Sequence, residues 1–588
     1  MSSQSSYEFY GAELSKMPPL RAIAETLVLD SRVRAVTAAE AYELALAQSD
    51  VCITDMPVYP PAARRLGLPE GARVLNNCHG RIVGRSANAR RFYNALSAAD
   101  QQKVLGDLRE AMFDFQKRPL IKAHAILGLD RDLMIKATLV GGLDDAVNIF
   151  NWLANFTPFD ELAEEYAASP KLPIQDILVV GDNLWANTDP FYNNHGGPQL
   201  ALVDEGANVI FNLGMRYFGE RKKGTLTLAW TSGMRLGMAA CHGGIKELDF
   251  SSCESPAARQ VGKRSIAFFG LSGTGKSSHT NSADNGGTLP SGFKKVVLHD
   301  DAFQIDCAQK VCRVWEPTLF DKTDSRPIGH EDWRYIISVM NHGLIEVDGR
   351  VLPLGQDLRN SNGRALFDRD LLGAYVNRCG FPDIICWLMK DSCLPPLMRF
   401  SSQPLAVAMG ASLMTRRNRA ENVPEEELAK LVFVPFANPF RVYELWRDVQ
   451  AFAKVFDQGA TGYCFNSSGF WKSSDVDLRA IPLKTSLRLQ TALLLNELEW
   501  EDVDLLPGAQ IPTRASVEAI LPGYYDSYHP ANVENRQAYL ATVRSRFRQR
   551  MVFLQSSDLH DKPGLLLNLI NALGVGGGPD EVGEGGGK

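Results

Sequence analysis

The order of apolar and polar positions divides the chain into two textures. Up to about residue 120, apolar residues recur at helical spacing in "AAEAYELALAQ" and "ADQQKVLGDLREAMFDF", with Pro- and Gly-rich turns between them. From about residue 170, short continuous apolar runs take over. "IQDILVVGD", "QLALVDE" and "ANVIFNL" predict buried strands, and "GTLTLAW" at 224–230 extends the series. The polar stretch "SSCESPAARQVGKR" (251–264) is the expected domain junction. Beyond it, strand and helix signals alternate through "SIAFFG", "KKVVLHDD", "VCRVWEP", "HGLIEVDGRVLPLG" and "DIICWLM". Amphipathic helices are expected at 484–500 and 534–555. The Gly-rich tail 574–588 has nothing to bury and is expected to be disordered. The pattern predicts an α/β chain of mixed α+β character. Its N-terminal domain is expected over 1–250 and its C-terminal domain over 251–573.

Bulk properties narrow the class. At 588 residues the chain is too long for one core. Its 45% apolar and 22% charged content is that of a soluble globular protein. A net charge of −6 lacks the basic surplus of a nucleic-acid binder. There is no run of apolar residues long enough to span a membrane. The opening "MSSQSSYEFYGAELSKMPP" has neither the basic nor the apolar part of a signal peptide. The ten cysteines are scattered, without Cys-x-x-Cys, and read as reduced thiols. A cytoplasmic enzyme is the expectation, with no nucleic-acid or membrane partner, as a monomer or small homo-oligomer.

The strongest chemical signal is "GLSGTGKS", Gly270 to Ser277, which fits G-x-x-x-x-G-K-[ST]. Gly270, Gly273 and Gly275 let the backbone turn, so that amides of the segment through Ser272, Thr274, Ser277 and Ser278 face an anion. Lys276 is expected to reach the β/γ-phosphates of ATP or another nucleotide, and Ser277 to bind Mg²⁺. The next apolar run ends in Asp300-Asp301. Asn, Gly and Pro break the helix after Ser278 within about three turns, and the second strand follows only about twenty residues after the loop, a compact spacing that points to kinase-like folds. Upstream lie Tyr217, Lys222, Lys223 and His242. Alone, the lysine pair would be solvated charge and the histidine a core residue. Their combination with the glycine-rich loop and the aspartate pair gives them a chemical reading.

In this combination the sequence resembles the ATP-type phosphoenolpyruvate carboxykinases. "YFGERKKG", "AACHGG", "GLSGTGKSS" and "LHDD" follow one another in the family's order. The resemblance implies a two-lobed carboxykinase-like fold whose C-terminal lobe holds a P-loop mononucleotide site. It makes Lys223, His242 and Asp301 ligands of Mn²⁺, with Lys223 neutral, as a metal and burial would favour. "GRSANARRFY" resembles the substrate loop, which gives Arg85 a substrate carboxylate to hold. "VWEPTLFDK" places Lys322 near the transferred phosphate, and "NSNGRALF" makes Arg364 a bridge between substrate and phosphate. "FNSSGFWKSSDVDLRAIPL" resembles the base-contacting segment, with Arg479 as its arginine. Tyr217 would sit beside the substrate. The chain departs from the family at Ala302, at Pro317-Thr318 and at Lys472.

The implied reaction decarboxylates oxaloacetate or a related keto acid and phosphorylates the resulting enolate, giving CO₂ and phosphoenolpyruvate. Two alternatives stay open. One is a kinase of the same fold acting on another small molecule or a protein without decarboxylation. The other is a non-catalytic nucleotide-binding regulator. The polar stretch 409–427 is the expected lid over the nucleotide.

Overall fold

The computed structural model describes residues 17–77, 84, 89–194, 197–271, 273–358, 362–373, 376–416, 430–503 and 508–574. It is a mixed α/β structure of several sheets. The first sheet has eight strands, and its interior is formed by Leu120–Asp130, Leu133–Gly142, Ile177–Asp182, Val209–Leu213 and Leu200–Asp204, in that order. The last three strands are buried along their whole length, which is why they read as unbroken apolar runs. The two early helices form as their patterns predict. Ala38–Leu46 starts with a capping box between Thr37 and Glu40. Ala98–Phe115 starts with the Ser97 side chain accepting from Asp100 N.

One expected strand is a helix. "GTLTLAW" lies inside α1 (Phe218–Arg235). Thr225, Leu226, Thr227 and Leu228 are all buried, so this helix is enclosed on every side and shows no single apolar stripe. Its Thr-Leu-Thr-Leu alternation therefore imitates a strand. The Thr225 and Thr231 hydroxyls donate to the carbonyls of Arg221 and Thr227, one turn earlier.

The second sheet has eleven strands and contains β1 (Ala239–Asp249), β2 (Lys263–Phe269), β3 (Lys294–His299), β4 (Ala302–Asp306), β8 (Ile384–Met389) and β9 (Thr461–Asn466). β2, β8 and β9 run parallel, with Ile266 opposite Ile384 and Ile384 opposite Thr461. β1 pairs antiparallel with β2, and residues 250–262 connect the two. β3 and β4 both pair antiparallel with β1, β3 near its C-terminal end and β4 near its start. The chain therefore breaks between β3 and β4, at Asp300-Asp301.

A third, five-stranded sheet joins distant parts of the chain. β5 (Thr318–Lys322), β7 (Arg364–Asp368) and β6 (Ile336–Met340) pair in that order, and β6 then pairs with Arg73–Asn77 and through it with Val51–Pro57. The late helices fall at Leu483–Leu494 and Arg536–Ser556. The first is shorter than expected, because Asn496 takes a left-handed φ of +57° and Glu497 N closes the end on Ala492 O, after which Trp500–Asp502 pairs as a strand. Among the described residues, no helix is long and apolar enough to cross a membrane.

Candidate active site

β2 delivers the chain to Gly270. A Cβ there would stand 2.3 Å from Thr274 Oγ1 and 2.8 Å from Leu388 Cβ, so only glycine fits. Gly273 and Gly275 take φ of +80° and +87°, in the left-handed region glycine adopts freely. Buried Thr274 closes the turn through Oγ1 to Leu271 O at 2.7 Å. α2 (Lys276–Asn281) follows and lasts six residues, so the helix stops as early as its sequence implies. Lys276 donates to the main-chain oxygen of Asp300, and its Nζ lies 3.5 Å from Asp300 Oδ1. Asn281 Nδ2 donates to Asp300 Oδ2 at 3.0 Å. Burial raises the Asp300 carboxyl above its ordinary range against the pull of Lys276 and Ser277. Ser278 is exposed. Ser272 lies outside the described residues.

The next residue belongs to a second cluster. Lys223 Nζ lies 2.6 and 2.7 Å from the two Asp301 oxygens, and Lys222 Nζ lies 2.7 Å from Oδ2. His242 Nε2 stands 3.4 Å from Asp301 Oδ1. The other ring nitrogen of His242, Nδ1, is 2.8 Å from the carbonyl oxygen of Ala437. A carbonyl accepts only, so Nδ1 carries the proton and Nε2 presents a lone pair. Burial holds this histidine neutral, pushing it down to about 4.

The two lysines are electrically different. Lys222 is fully buried and also pairs with Glu316 Oε1 at 2.9 Å. Burial opposes its charge, but Asp301 and Glu316 together raise it above the ordinary lysine value. Lys223 is pushed down to about 8, first by burial and then by the Lys222 charge, with Asp301 opposing. Its Nζ sits 4.9 Å from the Phe440 ring centre and 5.5 Å from that of Trp230. Burial works against ionised Asp301 as well, yet Lys222 and Lys223 keep its carboxyl well below the usual range.

His299 fixes the aspartate turn. Its Nδ1 accepts from the amides of Asp301 and Ala302, and its Nε2 donates to Thr318 O at 3.1 Å, which ties the turn to β5. Gly244, beside the turn, also has to be glycine. A Cβ there would stand 2.1 Å from Thr280 Oγ1 and 2.7 Å from Asp300 Oδ1.

Of the remaining expected residues, Tyr217 borders α1, and Lys322 and Arg364 lie on the neighbouring five-stranded sheet. Tyr217 precedes α1, and its ring folds over the first turn, where a Cβ on Gly219 would be 2.3 Å away. The ring centre is 6.2 Å from that of Phe320. Lys322 and Arg364 are direct cross-strand partners on β5 and β7. Burial and the Arg364 charge lower Lys322. Arg364 Nε donates to Asn362 Oδ1 at 3.1 Å, and Gly84 borders Asn362. Arg85 lies outside the described residues, as do residues 417–427 of the expected lid. Arg479 is engaged elsewhere, donating to the carbonyls of Ser527 and Asp526 at the end of the short helix Tyr524–Tyr528.

Four residues not singled out from sequence belong to this neighbourhood: Glu316, Ala437, Phe440 and Lys390. Glu316 and Lys390 each had a local signal, a charge inside or just after a buried apolar run, "VCRVWEP" and "DIICWLMK". Ala437 and Phe440 had none, because they meet His242 only through the fold.

No protein-family model matches the chain, and no curated protein matches it. Among the described residues, no three His, Cys, Asp or Glu side chains gather as a metal-holding group. The cluster on Asp301 combines one imidazole, one carboxylate and two lysine side chains.

Proposed function

We propose that the protein is a nucleotide-dependent carboxykinase, coupling decarboxylation of oxaloacetate or a related keto acid to phosphoryl transfer that yields phosphoenolpyruvate. On this reading the fold is the two-lobed carboxykinase type, the glycine-rich loop is its P-loop, and ATP is the expected nucleotide. The observation that carries the proposal is the sharing of one two-residue turn. Asp300 faces Lys276 and Asn281 of α2, which follows the loop, and Asp301 faces Lys223 and His242. A phosphoryl donor on the loop and a negative charge developing at the second cluster would be neighbours, as in-line transfer requires.

The second cluster suits a divalent cation. Neutral His242 turns a lone pair toward an anionic oxygen of Asp301 at 3.4 Å, a contact that favours a cation between them. Lys223 is lowered to about 8, within reach of the neutral amine a ligand needs. Nitrogen and carboxylate donors of this kind suit Mn²⁺. A divalent cation bound there would supply Lewis-acid stabilisation of the charge left when CO₂ departs. In the reaction, the C–C bond to the leaving carboxylate breaks and its electron pair remains as the enolate. The enolate oxygen attacks the γ-phosphorus, and the bond to ADP breaks. Arg364, with Arg85, holds the substrate carboxylate. Tyr217 lines the substrate side. Lys276 and Lys322 spread the charge of the transferring group, and Ser277 is the side chain for Mg²⁺ on the nucleotide.

The test is an exchange assay with phosphoenolpyruvate, bicarbonate, Mn²⁺ and each nucleoside diphosphate, reading oxaloacetate. Activity that vanishes in His242→Ala, with ATP binding retained, is expected. Phosphate transfer to another acceptor without CO₂ exchange would replace this reading with the kinase. ATP binding with no transfer to any acceptor would replace it with the regulator.

A further inference from the structure

Lys390 follows β8, the middle strand of the parallel set β2-β8-β9. β2 ends in the glycine-rich loop, so Lys390 leaves the sheet at the same carboxyl edge, where open α/β sheets bind their ligands. Its ammonium borders the loop: a Cβ on Gly273 would stand 3.5 Å from Lys390 Nζ. Lys276, by contrast, is turned to Asp300.

The chain on both sides of Lys390 is anchored. Buried Arg550 reaches Met389 Sδ at 3.6 Å and Asp391 Oδ2 at 3.2 Å, and it also donates to the carbonyl of Ser412. Asp391 is thus committed to Arg550. Among the described residues Lys390 forms no ion pair. The charge acting on it is that of Arg416, in the strand Met414–Arg416. Burial and then this like charge lower Lys390 below the ordinary lysine range. A half-buried cation beside a glycine-rich turn, with no ion-pair partner among the described residues, is a place for an anion.

We propose that Lys390 is a second phosphate-contacting residue on this loop and makes the site prefer a polyphosphate chain over a monophosphate. The proposal rests on the phosphate-loop reading above. A phosphoanhydride chain is shared by nucleoside triphosphates and free pyrophosphate, and both are probes in the test.

The experiment is calorimetric titration of the full chain with Mg-ATP, Mg-pyrophosphate and AMP, using wild type, Lys390→Met, Lys390→Arg and Lys276→Met. Lys390→Met is expected to weaken ATP binding about 10- to 100-fold, the range of one charge-assisted contact, and to leave AMP within about twofold. Lys390→Arg, which keeps the charge, is expected to retain most of the affinity and so separates charge from folding. A matching loss for pyrophosphate supports recognition of the chain itself. A loss for ATP alone supports a nucleoside triphosphate as the ligand. ATP affinity unchanged in Lys390→Met but lost in Lys276→Met would overturn this assignment and leave the loop reading intact. Equal losses for AMP and ATP would overturn the selectivity. Failure of wild type to bind either polyphosphate would overturn the assignment together with the loop reading.

Discussion

Lys222→Met isolates the electrostatics beneath the candidate active site. Lys222 and Glu316 side chains are both 0% exposed, and the ammonium bridges Glu316 and Asp301 at 2.9 and 2.7 Å. Methionine fills much of the same volume but leaves Glu316 with Asn155 Nδ2, at 2.7 Å, as its close partner. Burial already pushes the Glu316 carboxyl up with Lys222 in place, so its charge has little other support. Removing one partner of a buried ion pair costs about 3–5 kcal/mol, a large share of the about 5–15 kcal/mol that holds a domain folded. Lys222→Met/Glu316→Gln removes the stranded charge while keeping an acceptor for Asn155. It is expected to recover part of the loss, with a coupling of about 1–3 kcal/mol. The assay is urea unfolding followed by tryptophan fluorescence, since Trp315 adjoins Glu316. A single mutant within about 0.5 kcal/mol of wild type, or a double mutant whose losses simply add, would refute the reasoning.

Lys223→Met is expected to keep the fold, because Asp301 retains Lys222, while losing far more turnover than Lys222→Met at equal folded fraction; steady-state exchange rates decide this. Gly244→Ala would push on Thr280 and Asp300 and should destabilise by about 1–3 kcal/mol and weaken Mg-ATP binding, read by melting temperature and titration. Asp448 is buried, accepts from the Tyr443 hydroxyl at 2.7 Å, and is pushed up to about 7 by burial against the pull of Arg441. The folded state therefore binds a proton that the unfolded state has released between about pH 4 and 7. Through this group stability falls as pH rises across that window, by at most about 1.4 kcal/mol per pH unit. Asp448→Asn should flatten that part of the profile in urea titrations from pH 5 to 8; an unchanged slope would sink the assignment.

Part of the second sheet is legible in the sequence because β2, β3 and β8 are apolar runs with glycine or charge at their ends, whereas β1 and β9 carry no such signal. The loop from Gly270 to Ser277 and the aspartate pair are legible for the same reason: each sits where a run stops. The helix carrying Lys222 and Lys223 misleads, because full burial erases the stripe that would mark it. Lys223, His242 and Asp301 do come together. His242 meets Asp301 through a strand pairing, β1 with β4, and Lys223 reaches them from α1; no local pattern encodes either. Ala437 shows the limit most clearly. It orients His242 through a backbone carbonyl, held by two successive left-handed residues, Phe436 and Ala437 at φ of +51° and +55°. A main-chain atom leaves no mark in residue type.

The third sheet has a consequence for how the chain is made. Val51–Pro57 and Arg73–Asn77 lie near the start, yet Leu75 pairs with Ser338 and Asn77 with Met340. At about 5–20 residues per second, synthesis leaves this two-stranded ribbon exposed on one edge for tens of seconds before its partner emerges. An unfinished sheet edge invites pairing with the wrong chain. Val51–Pro57 itself carries Asp55 and ends in proline, and both discourage a further strand from adding to the outer side. The inner edge, Arg73–Asn77, has no such guard and must wait for β6. Slow translation between residues 77 and 336 should therefore raise aggregation of nascent chains more than equal slowing later in the chain.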